Sequence, residues 1–173
     1  MSNTSETFIF SGVEIDEPAR EVRLRYALGE HAFTERLVFH APLPARGSAL
    51  RGPFEAALEM LHLVAGVSYY KISLPTRMRI DAGAIDAGQR RFLQTLYVDG
   101  LGEFGVRNGI EIASRVNFMD ADCAPAPVRQ ASHIALPRRS AVLIGGGKDS
   151  LVSVEALRNS GEPMVLFAVN PKK

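Results

Sequence analysis

The chain has 173 residues, 46% hydrophobic and 23% charged, enough for one ordinary domain or for a domain and part of a second. Its net charge of +1 gives no electrostatic footprint for nucleic acid, and no apolar run approaches the roughly 20 residues that span a bilayer. A polar start without a signal-peptide layout and a single cysteine, Cys123, leave no thiol framework, so a cytoplasmic protein is expected.

The first 40 residues predict β structure. Phe8 to Phe10 opens a short run that Ser11-Gly12 interrupts as a turn. Val22, Leu24, Tyr26 and Leu28 alternate with Arg23, Arg25 and Ala27, the period of a half-buried strand. Gly29-Glu30 reads as a turn, and Ala32 to His40 as a further strand of an antiparallel meander. Gly52-Pro53 starts a helix whose face carries Leu58, Leu61, His62 and Ala65, with Gly66 as its stop. Val67 to Leu74 predicts a strand before Pro75. Leu93, Leu96, Tyr97, Leu101 and Phe104 predict a second helix between Asp86 and Phe104, and Ile110 to Phe118 reads as extended.

Residues 119–139 hold Pro125, Pro127 and Pro137 with little periodicity, a linker after an amino-terminal domain over 1–118. Ser140 to Ile144 is then an uninterrupted apolar strand, Leu151 to Asn159 a helix stopped by Gly161, and Met164 to Val169 a second buried strand. The expected fold is therefore an α+β domain of antiparallel strands with two or three helices, followed over 140–173 by the first β-α-β unit of an α/β domain. Two parallel strands and one helix cannot cover a sheet on both faces. The chain is thus expected to be the front of a longer protein, inactive alone, its unpaired strand edges covered or prone to self-association.

The chemically loaded segment is the turn between that strand and helix: Gly145, Gly146, Gly147, Lys148, Asp149 and Ser150. Glycines let backbone N–H groups approach a ligand, and the helix behind them presents unpaired N–H groups at its positive end. Lys148 adds a cation, Ser150 a hydroxyl, and Asp149 a carboxylate for magnesium or for orienting the loop, a set that fits a phosphate or pyrophosphate. The Walker pattern fails because Asp149 stands where Ser or Thr must follow the lysine. The dinucleotide pattern fails because Ser150 replaces its third glycine and Asn170 its ribose-binding acid.

Gly146, Gly147, Asp149 and Ser150 instead match the Ser-Gly-Gly-x-Asp-Ser/Thr motif of the PP-loop ATP pyrophosphatases, with Gly145 in place of the leading serine. Together with Leu61 to Lys71 in the preceding domain, the turn resembles the UDP-N-acetylmuramoyl-L-alanyl-L-glutamate epimerases of peptidoglycan synthesis. That resemblance implies ATP and Mg2+ bound at Gly145–Ser150, with Asp149 on the metal. It further implies a UDP-MurNAc-dipeptide substrate whose carboxylate is adenylated, so that the terminal L-Glu epimerises to D-Glu with release of AMP and pyrophosphate. The proton-transferring base is not identifiable from the sequence. Another PP-loop adenylating ligase or amidotransferase, or a non-catalytic nucleotide-binding module, fits the same turn.

Other signals have structural readings. Gly100-Leu-Gly102-Glu-Phe-Gly105 follows a helix, not a strand, and reads as helix-end packing. His62 reads as a hydrogen-bonded core histidine, Tyr69-Tyr70-Lys71 as a strand edge, and Cys123 as an incidental thiol. Arg77 and Arg79 read as solvated strand charge, with a carboxylate or the UDP diphosphate as the functional alternative.

Overall fold

The structure, a computed structural model, describes residues 6–81, 83–124, 135 and 137–168. They fall into two compact units, Met1–Ser132 and His133–Lys173.

The first unit is α+β. Strands β1 (Thr7–Asp16), β2 (Glu21–Leu28) and β3 (His31–Val38) form the expected antiparallel meander. Helices α1 (Arg51–Ala65) and α2 (Val67–Tyr70) lead to β4 (Arg77–Ile80). Helices α3 (Ala87–Gly100) and α4 (Gly102–Asn108) and a 3-10 turn at Ile112–Ser114 precede β5 (Asp122–Cys123). The sheet order is β3-β2-β1-β4-β5, with β4 parallel to both β1 and β5, so the sheet is mixed.

Alternation in β2 sends Val22, Leu24, Tyr26 and Leu28 into the core, as their spacing predicts. Ser11-Gly12 does not end β1. The register shifts between Phe10 and Gly12, where Gly12 adopts φ 148°, a conformation that suits glycine. This bulge lets Phe8 and Phe10 share a core face with Val13 and Ile15, which an unbroken period of two would place opposite. Phe8, Phe10, Tyr26, Tyr70, Tyr97 and Phe118 supply the largest fully buried side chains.

Three expectations fail for identifiable reasons. Gly66 does not stop the helix. Its φ is −56°, and its carbonyl accepts from the N–H groups of Tyr69 (3.0 Å) and Tyr70 (2.9 Å). Residues 67–70 are therefore helical, not strand, and Tyr70 enters the core. Ile110 to Phe118 is not extended: Arg115 and Val116 donate to the Ile112 carbonyl at 2.9 and 3.1 Å. A helix side chain takes the place of a strand partner there, Gln94 accepting from the Phe118 N–H and donating to the Val116 carbonyl, both at 2.8 Å. Residues 119–124, expected as linker, include β5. Arg90 gathers the carbonyls of Phe118, Met119 and Ala121 (2.8, 3.1 and 3.1 Å), which fixes the chain before that strand. The rest of the expected linker, 125–134 and 136, lies outside the described residues, as do Val169 and Asn170.

The second unit is a strand–turn–helix–strand arrangement: β6 (Ser140–Leu143), α5 (Lys148–Ser160) and β7 (Met164–Phe167). β6 and β7 are parallel neighbours, with Ser140 opposite Met164 and Leu143 opposite Phe167. Gly161, at φ 71°, ends α5 as a left-handed C-cap, the role its position predicts. Val142 is the one buried hydrophobic residue among the described residues of this unit, while Leu143, Leu151, Val152, Val165, Leu166 and Phe167 are exposed.

Candidate functional site

The glycine turn is shaped by its two ends. At the strand end, the Ile144 N–H donates to the Phe167 carbonyl at 2.8 Å, holding the last residue before the turn against β7. Gly146 then adopts φ 81°, a left-handed conformation that reverses the chain. Gly147, extended at φ −88° and ψ 163°, is the N-cap of α5 and supplies no capping side chain. The first N–H groups of a helix have no intrahelical partner, and among the described residues no side chain caps them here. A Cβ added at Gly145, Gly146 or Gly147 would meet nothing within 4 Å. All three glycines are exposed.

Lys148 and Asp149 are exposed on the first turn of α5, and Asp149 sits at the positive end of the helix dipole. Ser150 is half-buried and already committed: its Oγ donates to the Gly147 carbonyl at 2.8 Å. Its oxygen can still accept, but it reaches a phosphate as a donor only by giving up that bond. The backbone N–H groups and Lys148 are therefore the ready donors of the site.

Elsewhere the structure sorts the weaker candidates. His62 is fully buried; its Nε2–H donates to the Arg25 carbonyl at 2.8 Å, and its ring lies against Tyr26 (4.7 Å between centroids). Burial holds its pKa below the ordinary 6.5, so it is a core histidine. A linkage prediction follows. Below about pH 6.5 the unfolded chain takes up a proton that the folded core resists, so stability should fall as pH drops from about 7 to about 5 and stay flat above 7. Urea midpoints across that window check this; a flat profile contradicts it.

Gly105 lies in α4, where a Cβ would meet Ile112 Cγ1 at 2.6 Å and the Ile110 carbonyl at 2.7 Å. Close packing thus accounts for Gly105 of the Gly100–Gly105 motif, whereas a Cβ at Gly100 or Gly102 would meet nothing within 4 Å. Tyr69, Tyr70 and Lys71 are not at a strand edge. Tyr70 is core, and Tyr69 stacks on Phe33 at 4.7 Å while donating to Glu35 at 2.7 Å. Burial and the Glu35 carboxylate push the Tyr69 phenol up to about 12. Arg77 and Arg79 are exposed on β4, with Arg79 bound to Asp81. Cys123 accepts from Arg90 Nη2 at 2.9 Å. Sequence reasoning missed Arg90 and Gln94. Only their place on the second helix, facing a stretch without its own partners, could have signalled them.

The chain is an α+β protein followed by a strand–turn–helix–strand unit that carries an open glycine turn. It belongs to the MurL N-terminal domain family, whose model matches residues 1–173. Over 157 residues it is 40% identical to the UDP-N-acetyl-alpha-D-muramoyl-L-alanyl-L-glutamate epimerase of Xanthomonas oryzae pv. oryzae, covering 90% of this chain and 34% of that protein. The identity to the same-named epimerase of a Micromonospora species is 37% over 171 residues, 96% of this chain and 37% of the relative. The chain thus spans about a third of the length of the curated relatives it matches. No solved structure matches it. No helix among the described residues is long and apolar enough to cross a membrane.

Proposed function

We propose that these residues serve, in the native gene product, the ATP-dependent epimerisation of the terminal L-Glu of UDP-MurNAc-L-Ala-L-Glu to D-Glu in the cytoplasm. The observation that carries this reading is the open glycine turn at the uncapped start of α5, in a chain whose relatives are named as that epimerase. The turn fits a nucleotide phosphate. It has room for one, backbone donors and Lys148 to hold it, and in Asp149 an oxygen ligand of the kind Mg2+ prefers.

The chemistry explains the need for such a site. A proton next to a free carboxylate is very weakly acidic, because its removal would leave a dianion. Bound ATP supplies the AMP group that masks this carboxylate, with pyrophosphate as the leaving group. The backbone N–H groups of Gly145–Gly147 and the Lys148 ammonium would orient the phosphates and offset their charge. Asp149 would hold Mg2+ at the helix start, where a bare carboxylate would otherwise compete with phosphate for the same N–H groups. A base would then take the α-proton, its return from the other face would invert the centre, and water would hydrolyse the acyl adenylate to free the carboxylate and AMP.

With ATP and Mg2+ in heavy water, the native gene product should convert the L-Glu substrate to the D-Glu epimer. It should release AMP and pyrophosphate and place deuterium at the product α-carbon. Release of ADP and phosphate would overturn the adenylation mechanism.

A further inference from the structure

Phe8, Phe10, Met78 and Ile80 turn one face of the first sheet toward the helices and are buried in one cluster with Leu58 and Tyr97. The residues between them face the other way. Parallel register sets Thr7 beside Arg77 and Arg79 beside Asp122 on this open face. With Asn117 and Asp120 from the loop before β5 they line a groove of 360 Å3, within the range of small-ligand sites.

The polar groups here are unequally committed. Arg79 gives two hydrogen bonds to Asp81, at 2.6 and 3.1 Å. Asn117 and Asp120 bond to each other. Among the described residues the Arg77 and Asp122 side chains have no hydrogen bond or ion pair, although Asp122 lies in the field of Arg79. The strand edge is open as well. Among the described residues β5 pairs with Arg79 and Ile80 alone, so Arg77 and Met78 have a strand neighbour in β1 and none there on their outer side. An extended peptide can add to such an edge through main-chain hydrogen bonds.

We propose that this groove binds a short acyl-peptide carboxylate along the free edge of β4, its carboxylate on Arg77 and an amide N–H on Asp122. The main-chain edge beside Arg77 selects a peptide over a nucleoside diphosphate, because a peptide can use the edge and the guanidinium together and a diphosphate only the guanidinium. The inference rests on the proposed function, whose substrate ends in L-Ala-L-Glu, and names the part of that substrate the first unit holds.

The test is a titration of the native gene product, without ATP, with N-acetyl-L-alanyl-L-glutamate and separately with UDP. Wild type should bind the dipeptide. Arg77→Gln should weaken that binding about tenfold or more, the loss expected of a charge-assisted hydrogen bond, and Arg77→Lys should recover part of it. Asp122→Asn should also weaken it, and Arg77→Gln should leave UDP binding unchanged. No dipeptide binding by wild type, unchanged binding in Arg77→Gln, or an Arg77→Gln defect confined to UDP would each overturn the proposal. Arg77 is exposed, so unfolding is not the expected consequence, and an unchanged melting profile verifies this. An Arg77→Gln enzyme that epimerises with normal KM would sink the groove and leave the proposed function standing. Dipeptide binding by a protein that does not epimerise would do the reverse.

Discussion

Gly66→Ala should destabilise the first unit by about 1–2 kcal/mol, although alanine is the better helix former. Gly66 lies at the junction of α1 and α2 with an ordinary helical φ of −56°, so its backbone gains nothing from being glycine. Propensity alone favours alanine there by up to about 1 kcal/mol. Packing opposes it. The new Cβ would stand 2.6 Å from Phe10 Cε1, 3.0 Å from Tyr97 Oη and 3.1 Å from Tyr26 Cε1. All three rings are fully buried, and Tyr26 and Tyr97 are tied to the carbonyls of His62 and Leu63 at 2.9 and 2.6 Å. None can withdraw without breaking a hydrogen bond or shifting the aromatic core, and overpacking of this kind costs about 1–3 kcal/mol. The clash therefore exceeds the propensity gain. Gly100→Ala is the control: a Cβ there meets nothing within 4 Å, so the substitution should be neutral or stabilise by about 0.5–1 kcal/mol. Urea unfolding followed by circular dichroism compares the two. A Gly66→Ala midpoint at or above that of wild type contradicts this account of the core.

The meander was legible in the sequence because alternation in Val22–Leu28 and the Gly29-Glu30 turn are local signals, each decided by its own residues. The second helix was legible as far as Gly100, its start at Asp86 being a capping box with Gln89. The expected run to Phe104 is broken at Leu101, so the unit has four helices among the described residues and not two or three. Local pattern misled where the partner was distant. Val67–Leu74 carries strand-forming residues, but the helix continues through Gly66 and delivers Tyr70 to the core. Val116 and Phe118 are held by Gln94, and Phe118 and Ala121 by Arg90, across separations of 22 to 31 residues that no window around those segments contains. β5 is two residues long and has no pattern of its own. The glycine turn was fully legible, since its residues are consecutive and its flanking strand and helix are local. The groove on the open sheet face was not. Asp122 comes beside Arg79, and into one groove with Arg77, only through the parallel register of β4 and β5.

The second large effect is expected in that turn, and its sign depends on the metal. Gly146→Val forces a β-branched residue to φ 81° and fills the space above the turn, so ATP binding should be lost while the melting of residues 6–124 stays that of wild type. Lys148→Ala removes a point charge from the phosphates and should weaken ATP by about tenfold. Asp149→Asn is the informative variant. Without magnesium its carboxylate only repels phosphate from the start of α5, so free ATP should bind the variant as well as wild type or better. With magnesium the same carboxylate becomes an attraction, and removing it should weaken binding. The measurement that decides whether Gly145–Ser150 is a nucleotide-phosphate site is therefore calorimetric titration of ATP into the wild-type and Asp149→Asn native gene product, with and without Mg2+. The account predicts that magnesium tightens ATP binding to wild type and that Asp149→Asn abolishes this gain. Equal magnesium dependence in the two proteins, or no ATP binding by wild type, would contradict it.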